Sequence, residues 1–107
     1  GLSSITDEDN FTDKLFSRLE KVLFNKNTNF YIQDHIIMTM TRYYDRNNVI
    51  QIYIKIYNDK NFDRYIRITV ANYLNNWTED SYLEPEISEQ EWEYYLNTDI
   101  DAMRFKD

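Results

Sequence analysis

The sequence predicts an α+β domain of order α-β-β-β-α, with helices packed on one face of a three-stranded antiparallel sheet. Three observations carry that expectation. Phe11, Leu15, Leu19, Val22 and Leu23 recur at i, i+4, i+8, i+11 and i+12, the stripe of an amphipathic helix. Residues 49–57 and 64–70 alternate apolar and polar with period two, the pattern of half-buried strands. Ser88 and Glu91 stand three apart, the spacing of a capping box at a helix start.

The first helix is expected over residues 7–25. Asp7, Glu8 and Asp9 sit where the helix dipole favours anions, and Thr6 with Asp9 resembles a capping box, with Asp9 or Asn10 as alternative caps. Asn25, Asn27 and Asn29 tolerate left-handed backbone and read as its stop and a loop. Residues 30–44 read as the first strand because Ile36, Ile37, Thr39, Thr41, Tyr43 and Tyr44 are dense β-formers. Ile32, Ile36, Met40 and Tyr43 also fit a helical stripe. The second strand turns Ile50, Ile52, Ile54 and Ile56 inward and Gln51, Tyr53, Lys55 and Tyr57 outward. The third turns Ile66, Ile68 and Val70 inward and Tyr65, Arg67 and Thr69 outward. Polar turns at 45–48 and 58–61 join them as hairpins. Tyr73, Leu74 and Trp77 suggest a short helix over 71–77, and residues 78–86 an acidic loop around Pro85. Ser88 then opens the last helix, with Ile87 and Trp92 placed as a hydrophobic staple and Tyr95, Leu96, Ile100 and Met103 continuing its stripe. The expected core is Leu15, Leu19, Val22, Leu23, Ile50, Ile52, Ile54, Ile66, Ile68 and Trp92.

A length of 107 residues is one domain's worth, expected to span 1–107, with residues 1–5 a flexible or tag-derived start and 98–107 an acidic tail. Aromatic residues at 17% exclude a disordered chain. The absence of Cys excludes disulfides, zinc-thiolate sites and thiol nucleophiles, and it fits an intracellular setting, cytoplasmic or nuclear. The only Gly is residue 1, so phosphate-cradling loops, dinucleotide fingerprints and nucleophile elbows cannot be built. No membrane-spanning run and no secretory leader is expected.

The formal charge of −7 is unevenly spread. Residues 77–107 hold ten acids against two bases, whereas residues 25–76 hold seven bases against four acids. Glu79, Asp80, Glu84, Glu86, Glu89, Glu91 and Glu93 crowd into fifteen residues. Such a stretch serves solubility, or it docks a basic partner; like-charge crowding costs stability and favours the second use. The outer sheet face would carry Tyr53, Lys55, Tyr57, Tyr65 and Arg67, a surface suited to a protein contact or a homodimer. Stacked aromatics beside bases also suit RNA, but the net charge opposes a phosphate backbone.

No catalytic constellation emerges. His35 is the only His, and Asp34 beside it points elsewhere. Asp99 and Asp101 are too closely spaced for a calcium loop and lack its Gly. The expected function is a non-enzymatic protein-binding domain, an inhibitor, immunity or adaptor module with no cofactor or metal. It would engage a basic protein surface through Glu79, Asp80, Glu84, Glu86, Glu89 and Glu93, through the Tyr face, or both. The alternatives are a nucleic-acid-binding sheet platform and an inhibitor that mimics nucleic acid.

Overall fold

The computed structural model describes residues 2–98, with side chains from residue 13 onward. α1 begins at Leu2, so the start expected at residue 7, with Thr6, Asp9 or Asn10 as cap, is corrected: these positions lie inside the helix. The side chains of residues 2–12, Phe11 among them, and everything after residue 98, including Asp99, Ile100, Asp101 and Met103, lie outside the described residues. The chain forms five helices: α1 Leu2–Leu23, α2 Phe30–Tyr43, α3 Arg46–Asn58, α4 Arg64–Trp77 and α5 Glu89–Thr98. Among the described residues there is no strand. The α+β expectation is therefore corrected: all three expected strands are helices, and there is no sheet to carry an outer face.

The physical reason lies in a double periodicity. Residues 49–57 alternate, but Val49, Ile52, Tyr53 and Ile56 also stand at i, i+3, i+4 and i+7, and these four are the buried residues of α3. Ile50 and Ile54 flank that stripe and are half-buried. In α4 the buried set is Ile66, Val70, Ala71 and Leu74, with Ile68 half-buried beside them. β-branched residues cost at most about 0.7 kcal/mol each in a helix, which burial of a continuous apolar stripe exceeds. Asp45, expected in a hairpin turn, is the N-cap of α3, its Oδ1 accepting from the Asn47 N–H at 3.0 Å. α2 is a helix too, but its buried face includes Phe30, Gln33, Ile36, Ile37 and Met40, whereas Ile32 and Tyr43 of the expected stripe are exposed.

α3 and α4 pack most closely, α2 lies against both, and α1 rests on α2. Of the expected core, Leu23, Ile52 and Ile66 are buried, and Leu19, Ile50, Ile54 and Ile68 are half-buried. Leu15, Val22 and Trp92 are exposed at 42%, 43% and 42%, a further correction. α1 reaches the core through Phe16, Leu19 and Leu23, an arc one step around the helix from Leu15 and Val22.

The Asn-rich segment is a helix stop, as expected. Asn25 Oδ1 accepts from the Asn27 N–H at 2.8 Å, and Thr28 Oγ1 donates to the Val22 carbonyl at 2.7 Å. The buried Gln33 side chain donates to the Leu23 carbonyl at 3.2 Å. The Thr28 and Gln33 bonds are accepted by carbonyls at the end of α1, where helical partners run out.

Candidate protein-docking surface

The structure disperses the expected Tyr-bearing face. Tyr53 is fully buried; its hydroxyl donates to the Ile37 carbonyl at 2.7 Å and lies 2.6 Å from Thr41 Oγ1. Its ring stacks on Trp77 at 5.8 Å. Burial pushes the Tyr53 phenol well above its ordinary range, which outweighs the lowering by Thr41. Lys55 is exposed on α3, apart from the others. Tyr57 packs edge-on against Tyr82 at 5.0 Å, and Tyr65 lies 5.3 Å from the Tyr95 ring. Arg67 is committed internally, its Nε and Nη2 both donating to the Tyr57 carbonyl, at 3.0 and 2.9 Å. Tyr53, Lys55, Tyr57, Tyr65 and Arg67 therefore do not share the outer sheet face expected of them.

The acidic residues fare differently. Residues 78–88 run as an extended strap along α4 and lead into α5. Asn75 clamps the strap with both ends of its amide: Nδ2 donates to the Tyr82 carbonyl at 2.9 Å, and Oδ1 accepts from the Tyr82 N–H at 2.6 Å. Arg64 Nη1 donates to the Glu86 carbonyl at 2.8 Å and pairs with Glu91 Oε1 at 3.0 Å. The expected capping box is present. Ser88 Oγ accepts from the Glu91 N–H at 3.2 Å, and Glu91 Oε1 accepts from the Ser88 N–H at 3.3 Å. Tyr95 is the buried residue of α5, with its ring 5.0 Å from that of Phe30. Its phenol is also shifted upward, chiefly by burial.

These attachments use backbone carbonyls, one amide clamp and one aromatic anchor. They leave Glu79, Asp80, Glu84, Glu86, Glu89 and Glu93 exposed. Glu91 is half-buried and faces Arg64, the one ion pair among the described residues. Asp63, next to that pair, has its carboxyl raised by burial and then by the charge of Glu91. Sequence reasoning missed the apolar residues set among the acids. Leu83 is 80% exposed, Leu96 73% and Tyr94 58%, and Trp92 joins them. Trp92, Tyr95 and Leu96 stand at i, i+3 and i+4, one stripe of the helix, and the body takes only its Tyr95 edge, so spacing alone did not signal that Trp92 and Leu96 are exposed.

Elsewhere the chemistry is sparse. Asp34 is buried and His35 exposed, on different sides of α2. Among the described residues no three His, Asp or Glu side chains gather as metal ligands. No described helix is long and apolar enough to cross a membrane. Compared with protein-family models, with curated proteins and with solved structures, the chain matches none.

Proposed function

We propose that this chain is a non-enzymatic protein-binding domain, an inhibitor, immunity or adaptor module, that engages a basic partner through residues 79–96. One observation carries the reading: six exposed acids without an ion-pair partner among the described residues are interleaved with exposed Leu83, Trp92 and Leu96. Solubility alone asks for charge, not for large apolar side chains at the same place. A mixed surface of this kind suits a cationic amphipathic segment, whose bases are steered by the acids and whose apolar face covers Trp92. The lack of Cys supports a cytoplasmic or nuclear setting for that contact.

The test is titration of the protein with a synthetic amphipathic peptide rich in Lys and Leu, against an acidic peptide of the same apolar pattern. The basic peptide should bind saturably, more weakly as salt rises, and shift Trp92 emission to the blue. A Trp77→Phe variant isolates that signal. Reversing Glu84, Glu86, Glu89 and Glu93 to Lys should slow association by about tenfold or more. Equal binding of both peptides, or an association rate untouched by the reversal, would overturn the reading.

A further inference from the structure

A second outward face carries the opposite charge. α1 turns Phe16, Leu19 and Leu23 to the core, which leaves Lys14, Leu15, Arg18, Lys21 and Val22 outside. The three bases have no ion-pair partner among the described residues. On the helical wheel Leu15 and Val22 share one edge, and the bases lie about 80° to one side of it. α5 is built the same way with the sign reversed. Trp92 and Leu96 share an edge, and Glu89 and Glu93 lie about 60° from it in the opposite rotational sense. α1 packs on α2, while α5 is held by Tyr95 against Phe30 and Tyr65, and Leu15, Val22, Trp92 and Leu96 on the outer faces are exposed.

We infer that the occupant of the α5 face is a second copy of this chain, whose α1 docks along it, Leu15 and Val22 against Trp92 and Leu96, and Lys14, Arg18 and Lys21 beside Glu89 and Glu93. This rests on reading residues 79–96 as a docking surface, and it names the partner. The opposite rotational senses fix the direction. With the apolar edges apposed, the charged edges fall on the same side only when the two helices run parallel. Antiparallel docking would set the bases and acids on opposite sides of the seam. Because the patches differ, the contact closes as a two-fold pair that repeats it twice, or it continues head to tail.

Two copies of charge −7 repel at long range, so added salt relieves that repulsion while it weakens the local pairing. Salt dependence is therefore not diagnostic, and charge exchange is. The experiment is sedimentation of the full chain from micromolar to millimolar concentration, with helicity by circular dichroism as the folding control. The average mass should rise with concentration. The variant Glu89→Lys with Glu93→Lys, and separately Lys14→Glu with Arg18→Glu, should each weaken self-association about tenfold or more. An equal mixture of the two should associate, because it retains one parental α1 and one parental α5. A parent that stays monomeric throughout, or variants whose mixture does not associate, would overturn the inference. If such a monomer still binds the basic peptide, the docking surface stands and only its occupant is wrong; if it binds nothing, both fall.

Discussion

The helical body from α2 to α4 and the strap with α5 are held together in opposite ways. In the body, Ile37, Val49, Ile56, Ile66, Val70 and Leu74 are fully buried, and the buried Tyr53 hydroxyl is bonded on both sides. In residues 78–98 a single side chain, Tyr95, reaches the buried class, and attachment depends on Asn75, Arg64 and a capping box. The first region gains its stability from apolar area removed from water. The second is held by a few directional bonds, which fix its backbone while leaving acids and large apolar side chains outside. Stability and recognition thus occupy different parts of a small molecule, and substitutions should separate them.

The largest effect belongs to the body. Ile56→Ala should lose about 2–5 kcal/mol, because it removes packed atoms and leaves a cavity. Ile54→Ala, on the half-buried flank of the same helix, should lose much less. Denaturant unfolding of the two variants checks this directly, since a strand would make the two positions equivalent. Equal losses would break the helical register of α3. Leu83→Ala, at 80% exposure in the strap, should leave unfolding unchanged.

Tyr53→Phe comes next. It removes the hydroxyl bonded to Ile37 and Thr41 and should cost on the order of 1–2 kcal/mol. It should also change the response to alkali. Burial raises the Tyr53 phenol above its unfolded value of 10.0, so its contribution is fully present below that pH and is lost as pH rises toward the folded value. Thermal melts above pH 10 should therefore fall more steeply for the parent than for the Phe variant. Parallel curves would mean that Tyr53 is not desolvated.

These two positions also show where the sequence was legible. α1 and the Ser88–Glu91 box could be read because their signals have one period or one geometry only. Residues 49–57 satisfied periods of 2 and 3.6 together, and β-propensity decided for the wrong one, since tertiary packing outweighs it. One contrary signal was present. A body without Gly has poor material for tight two-residue hairpin turns, whereas Asp45 and Asp59 suit the side-chain-to-backbone turns they make here. The acidic surface was legible because exposed charge follows from composition, whereas the Tyr face depended on strand alternation and fell with it. The exposure of Trp92 needed knowledge of which α5 side chain the body takes, and the body takes Tyr95.

In the strap, Ser88→Ala should cost about 1 kcal/mol, with the loss concentrated in α5. Amide exchange of residues 91–96 should accelerate while that of α3 and α4 is unchanged. Uniform acceleration would show that α5 opens only with the whole domain, and the contrast between the two regions would then be one of composition rather than of cooperativity.

The smallest effect tests the seam between the regions. Asp63 occupies the N-cap position of α4 without making a side-chain cap bond. The helix dipole favours an anion there, yet its carboxyl is raised, first by burial and then by Glu91, so the charged form is net disfavoured. Asp63→Asn keeps a residue able to cap and removes the charge. It should therefore stabilise the domain, by less than Ser88→Ala destabilises it, because Asp63 is only partly shielded from solvent and the repulsion is screened. The sign with pH follows. A carboxyl raised in the folded state contributes stability when protonated, fully below its unfolded value of 3.8, and loses that contribution as pH rises through the folded value. The advantage of the Asn variant should thus be present at neutral pH and vanish as pH falls below 3.8, whereas a purely conformational effect of Asn would persist in acid. Paired melts of parent and variant across that range decide between them, and an Asn variant less stable than the parent at neutral pH would show that the dipole outweighs Glu91 at this junction.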